Sequence, residues 1–186
     1  MEFRVDISGD MIGRARAIDP AGDYRLIQEG GLDQLESERF DLVLSAFAFD
    51  NVPTAATKVR LFRDLARVLA PEGAIVNLVS SPDIYTHEWA SFSTAAFPEN
   101  MTARSGDIVR IVNTAIEDSR PVEDVLWTDE SYREVFRGAR LDIAATHKPL
   151  AREDEPFPWV NETRIAPWVI YVLTRAVRAD LPGVGA

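Results

Sequence analysis

The chain has 186 residues, 46% of them hydrophobic, and a formal net charge of −10; that length supports one domain with a sizeable core, and that charge argues against nucleic acid or an anionic membrane as partner. No apolar run is long enough to span a bilayer, no secretory leader is visible at the start, and the absence of cysteine excludes disulfides and thiolate chemistry. With only His87 and His147 and no HxxxH spacing, a zinc site is not expected, and a soluble cytoplasmic protein handling small molecules fits.

Residues 3–8 (FRVDIS) predict a strand that ends on Asp6, with Ser8 as N-cap of a helix carrying Met11, Ile12, Ala15 and Ile18. Residues 24–28 predict a short, half-polar strand. Residues 40–45 (FDLVLS) are apolar at nearly every position, which predicts a strand covered on both faces. Residues 54–70 place Val59, Phe62, Leu65, Ala66 and Leu69 on one helical stripe, with Lys58, Arg60, Arg63, Asp64 and Arg67 filling the polar remainder. Pro53 suits the entry to that helix, and Pro71-Glu72-Gly73 is its predicted stop. Residues 74–79 (AIVNLV) then predict a second buried strand, completing a right-handed strand–helix–strand unit.

Beyond Ser80 the pattern changes. Residues 81–89 leave the end of that strand with an imidazole, a carboxylate and two aromatic rings close together: Tyr85, His87, Glu88 and Trp89. His87 can take a proton near neutrality, Glu88 can orient it or hold a cation, and Tyr85 and Trp89 can sandwich a flat ring; equally, the stretch is a loop pinned by aromatic packing. Residues 92–100 read as an aromatic-rich loop. Residues 108–113 and 122–127 read as an antiparallel hairpin, and residues 129–137 as a short helix capped by Thr128 and closed by Gly138 as a C′ glycine. Leu141, Ile143 and Ala145 alternate as a strand, and residues 169–173 form a last buried strand. Between them, Trp159, Asn161 and Glu162 either line a pocket or brace their loop. The tail from Ala179 reads as frayed.

The strings FDLVLSAFAFDNVP and LFRDLARVLAPEGAIVNLVS resemble the fourth strand, following helix and fifth strand of class I S-adenosylmethionine-dependent methyltransferases. Arg67-Val68-Leu69-Ala70-Pro71-Glu72-Gly73 matches that family's RVLxPGG, with Glu72 in place of the first glycine. The start is similar to the family's VDIS..M...A segment at the end of its second strand. The resemblance implies a Rossmann-like α/β fold, with a mostly parallel sheet, a final antiparallel hairpin and an inserted acceptor-cover hairpin. It implies a core of residues 1–81 and 128–178 and a cover of residues 82–127. S-adenosyl-L-methionine is the implied cofactor and a small-molecule acceptor the implied partner. Asp6 would hold the ribose hydroxyls, while Ile7 and Met11 flank the adenine. Ser45, Ala46 and Phe47 would wall the cofactor, and Asp50 would contact the acceptor.

Each role has a plainer alternative. Asp6 can be a solvated strand-end acid or a cap, Ile7 and Met11 can be core, and Asp50 with Asn51 can serve a turn. Where the family often has an adenine-binding acid the sequence has Gly31, with Asp33 two residues on; backbone groups of Gly31 and Leu32 remain to serve. The family's glycine-rich loop precedes the segment seen here, and Gly9, Gly13, Gly30 and Gly31 do not reproduce it. The expectation is therefore an N-terminally shortened methyltransferase. The alternative is a non-catalytic interaction subunit, or a self-associating homo-oligomer, in which another chain supplies what is missing.

Overall fold

The computed structural model describes residues 2–28 and 31–176; the predicted frayed tail lies outside them. The chain divides into two compact units at Ser37 and Glu38. In the first unit β1 (Arg4–Asp6) and β2 (Tyr24–Leu26) pair in parallel, with Arg4 opposite Tyr24 and Asp6 opposite Leu26. Parallel neighbours need a crossover, here α1 (Gly9–Ile18). Ser8 caps α1 as predicted, its hydroxyl accepting from the Met11 N–H at 3.3 Å. Of the helix's apolar residues, Ile12 is buried, while Met11 and Ile18 are exposed.

The second unit is built on a sheet in the order β3-β4-β9-β8, from β3 (Phe40–Ala46), β4 (Leu69–Ser80), β8 (Leu141–His147) and β9 (Trp168–Arg175). β3 and β4 are parallel; β9 runs antiparallel to both β4 and β8. The predicted final antiparallel pair is present. α2 (Ala55–Val68) connects β3 to β4 and buries Phe62, Leu65 and Val68. α3 (Asp129–Gly138) buries Tyr132, Val135 and Phe136. The two helices share one face of the sheet: Phe62 meets Phe136 edge-on at 5.0 Å, and Phe136 meets Tyr171 of β9 at 5.1 Å. The face covered on both sides that the FDLVLS run predicts is not formed, since Leu42 and Leu44 of β3 are 61% and 69% exposed.

Three further expectations are corrected. α2 stops at Val68, and Pro71-Glu72-Gly73 lies inside β4 rather than ending the helix. Phe40 pairs with Leu69 but Leu42 with Ala74, so residues 70–73 form a bulge against β3. Gly138 is the last residue of α3, not its left-handed successor; that conformation falls on Arg140, at φ 61°. Gly138 instead lets α3 approach α2, because a Cβ there would lie 3.1 Å from Val59 Cγ2.

The insert predicted at residues 82–127 is a small antiparallel sheet of β5 (Phe92–Ser93), β6 (Ile108–Asn113) and β7 (Val122–Val125). Its hairpin is as predicted, but residues 92–93 join it as a strand where a loop is expected. Ile84, Tyr85, Trp89, Val109, Ile111 and Leu126 make its core.

The β3–β4 bulge generates a test. A Cβ at Gly73 would lie 2.9 Å from the Phe40 carbonyl oxygen and 2.8 Å from Leu69 Cδ1. Gly73→Ala should therefore destabilise the chain by about 1–3 kcal/mol in denaturant melts; an unchanged midpoint would mean that the bulge yields freely.

Candidate functional site

In parallel α/β sheets ligands bind beyond the carboxyl ends of the strands, which here are the ends of β1 and, in the other unit, of β3 and β4. At the end of β1, Asp6 is half-buried and one carboxylate oxygen accepts from the Ser8 N–H at 2.7 Å. Ile7 and Met11 beside it are 66% and 53% exposed, so neither is core. Gly31 is buried and donates its N–H to the Gln28 carbonyl at 2.7 Å, opening a 3₁₀ turn over Gly31–Gln34 that contains Leu32 and exposes Asp33.

In the second unit, β3 ends at Ala46 and the chain turns at Phe47, whose φ of 57° is left-handed. Its N–H donates to the Leu78 carbonyl at 2.9 Å. The Phe47 ring, 40% exposed, meets Trp168 edge-on at 4.9 Å, and Phe92 meets the same indole at 6.1 Å. Ser45 is buried opposite Asn77 of β4, and the side-chain polar atoms of both lack hydrogen-bond partners.

Asp50 is buried, and its carboxylate accepts from the Ser80 N–H at 3.1 Å and the Ser80 hydroxyl at 2.9 Å. Burial pushes this carboxyl up to about 6, against the pull of Ser80 and Lys58. Lys58 is fully buried, contrary to its predicted place on the polar side of α2. Its ammonium donates to the Phe49 carbonyl and lies 4.8 Å from the Trp127 ring and 5.2 Å from that of Tyr132. Burial pulls it down to about 8, although Asp50 opposes the shift. Tyr85 donates its hydroxyl to Asp124 at 3.0 Å, and burial raises the Asp124 carboxyl. Trp127 Nε1 and the Tyr132 hydroxyl are buried without hydrogen-bond partners.

The loop 81–89 is organised differently from its predicted chemistry. Tyr85 and Trp89 are buried in the core of the insert, with the Trp89 indole donating to the Ile84 carbonyl at 2.9 Å, so they do not form an open sandwich. His87 is half-buried, its Nδ1 3.1 Å from both the Asp83 carbonyl oxygen and Thr86 Oγ1. Glu88 accepts from the Thr94 N–H at 2.7 Å and hydroxyl at 3.0 Å rather than orienting His87. Burial raises its carboxyl, but hydrogen bonds from Ser93 and Thr94 outweigh that and hold it below the usual range. Glu162 accepts from the N–H groups of Ala90, Val160 and Asn161 at 2.6, 2.8 and 3.0 Å. The Asn161 amide donates to the Glu88 carbonyl at 2.8 Å, and the Trp159 indole to Glu155 at 3.0 Å. These three residues brace the loop. Among the described residues no cluster of histidines and carboxylates could hold a metal, and no helix is long and apolar enough to cross a membrane.

Lys58, Asp124, Tyr132 and Trp168 are components that the motifs did not single out. Spacing carries a signal for Lys58, which stands four residues before Phe62 and so on the apolar stripe. The others depend on contacts distant in sequence.

Residues 2–77 match the family described as a methyltransferase domain. A curated relative, N-demethylindolmycin N-methyltransferase from Streptomyces griseus, is 26% identical over 148 residues, covering 78% of this chain; the chain spans 62% of that relative. A putative S-adenosylmethionine-dependent methyltransferase from Listeria monocytogenes aligns with a TM-score of 0.66 at 16% identity, over 93% of this chain and 78% of its own. An S-adenosylmethionine-dependent methyltransferase from Mesorhizobium loti aligns with 0.60 at 19% identity, over 92% and 78%. Residues 2–77 thus resemble the methyltransferase-domain family, and the fold is similar to that of S-adenosylmethionine-dependent methyltransferases.

The buried ammonium has a measurable consequence. Lys58 titrates near 8 when folded and at its ordinary 10.5 when unfolded, so the unfolded chain holds more protons between those values and stability rises with pH across them. Relative to Lys58→Met, the wild type should gain up to roughly 3 kcal/mol between neutrality and that upper limit. Parallel pH profiles for the two proteins would show that Lys58 is not desolvated.

Proposed function

We propose that this chain serves methyl transfer from S-adenosyl-L-methionine to a nitrogen or oxygen atom of a small molecule. The observation that carries this is the coincidence of the matched segment with Asp6, a carboxylate at a strand end flanked by the exposed side chains of Ile7 and Met11. One oxygen of Asp6 is used by Ser8, and a carboxylate has further acceptor sites for the ribose hydroxyls. Ile7 and Met11 offer apolar surface to the adenine, and the backbone of Gly31 and Leu32 its edge. In the second unit, taken by itself, Ser45, Ala46 and Phe47 at the end of β3 are the residues we assign to the cofactor wall. The relative's name states N-methyl transfer to N-demethylindolmycin, which favours a nitrogen acceptor.

In such a transfer the acceptor's lone pair forms the new bond to carbon as the carbon–sulfur bond breaks; sulfur keeps that electron pair, and the acceptor sheds a proton. In-line placement supplies most of what this step requires. His87 is the residue we assign to take the proton, and Asp50 the one we assign to the acceptor's polar side. Phe47, Phe92 and Trp168 offer the ring faces. The test is calorimetric titration with S-adenosylhomocysteine. We expect binding that weakens about 10- to 100-fold in Asp6→Ala, the loss of one charge-assisted hydrogen bond. Unchanged affinity in that variant would refute the ribose role, and absence of binding to the folded chain would refute the cofactor reading for this chain alone.

One observation favours a second reading, a non-catalytic subunit that pairs with another chain. Among the described residues β3 pairs only with β4, and its Leu42 and Leu44 are exposed beside that open edge. Sedimentation of a strictly monomeric chain would count against it.

A further inference from the structure

At the other end of the second unit's sheet, where β4 and β8 begin and β9 ends, two adjoining grooves of about 510 and 690 Å³ meet at Arg140 and Ala176. Six arginines line them, Arg63, Arg67, Arg133, Arg137, Arg140 and Arg175, against one carboxylate, Asp142. Such a concentration is conspicuous in a chain of net charge −10.

The fold itself uses some of these cations. Arg63 donates to the Gly138 carbonyl at 2.8 and 3.1 Å, closing the C-terminus of α3. Arg175 donates to the Ala66 carbonyl and pairs with Glu38 at 2.9 Å. Arg133 pairs with Asp129 at 2.7 Å. Arg137 and Arg140 are exposed, and among the described residues no ion pair or hydrogen bond ties either side chain. Arg140 also holds a φ of 61°, where glycine is the favoured residue and a side chain costs about 1 kcal/mol. An arginine kept there gains nothing for the turn.

The trough also borders an open strand edge. β8 pairs with β9 alone among the described residues, and its first residues, Leu141, Asp142 and Ile143, form one wall. An extended chain laid along that edge can take main-chain hydrogen bonds from β8 while its side chains reach the last turn of α3. We propose that this trough docks an acidic segment of a partner protein, bound in extended form, with its carboxylates on Arg137 and Arg140. An extended peptide suits the length of two grooves joined end to end. A nucleic-acid duplex does not suit it, because the remaining surface is strongly acidic.

The probe is a fluorescein-labelled peptide of about eight glutamates, followed by anisotropy, with the glutamine peptide of equal length as control. The wild type should bind the acidic peptide and not the neutral one, more weakly as salt rises. Arg137→Glu with Arg140→Glu should weaken binding by at least about tenfold, whereas the double lysine variant keeps most of it. Arg140→Gly separates function from folding: glycine suits this backbone, so that variant should melt no lower than wild type yet bind the peptide more weakly. Undiminished binding in Arg140→Gly would overturn the assignment. So would inorganic triphosphate displacing the peptide at concentrations well below those of glutamate, which would mark an oligophosphate site, or a folded wild type that binds neither.

Discussion

Much of the second unit depends on how residues 47–50 are gripped. Phe47 donates its N–H to Leu78 of β4, the Asp50 carboxylate accepts two hydrogen bonds from Ser80, and the Asp50 carbonyl accepts from the Val125 N–H at 2.9 Å. The Lys58 ammonium reaches the Phe49 carbonyl from α2, and the Phe47 ring abuts Trp168 of β9. A turn of four residues thus engages β4, α2, β7 and β9. A left-handed phenylalanine costs about 1 kcal/mol and persists only where surroundings over-determine it, which these contacts do.

Burying an ammonium and a carboxylate in one region, as Lys58 and Asp50 are, is not a cheap way to gain stability, since desolvation offsets much of their attraction. The rings around Lys58 reduce that cost: Trp127 and Tyr132 offer their faces to the cation, and Phe49 stacks on Phe62 at 4.1 Å. Tyr132 in turn stacks on Phe136 at 5.7 Å and lies at a similar distance from Tyr171. The Lys58 ammonium and the aromatic core between α2 and α3 are therefore in continuous contact.

The element pattern was legible where it is local. Alternation and caps identified β1, α1, β3, α2, α3, β8, β9 and the β6–β7 hairpin, because Ser8 and Thr128 each cap their helix as expected and the apolar stripes of α2 and α3 hold their period. What failed was set by pairing. Pro71-Glu72-Gly73 resembles a helix stop, but the register shift between the Phe40–Leu69 and Leu42–Ala74 pairs places these residues in a bulge of β4. Apolar density in FDLVLS could not reveal that both helices take the same face, and residues 92–93 become a strand only because Asn113 and Val112 lie opposite. Asp6 could be placed at a strand end from the sequence alone. The engagement of Glu88 with Thr94, and of Glu162 with three N–H groups, depends on loop geometry that no spacing encodes.

The groups that hold the loop are distinct from those left open beside it. Asp50, Lys58, Tyr85 and Tyr132 are buried, and where they have hydrogen bonds these run to protein. Phe47, Phe92 and Trp168, by contrast, are only partly covered. Under the proposed function, an acceptor at the ends of β3 and β4 would meet these partly covered rings beside the buried Asp50. Aromatic faces select for flat or cationic groups through shape and quadrupole, while the buried cluster sets how stiffly those faces are held. At the arginine trough, by contrast, Arg137 and Arg140 are themselves exposed.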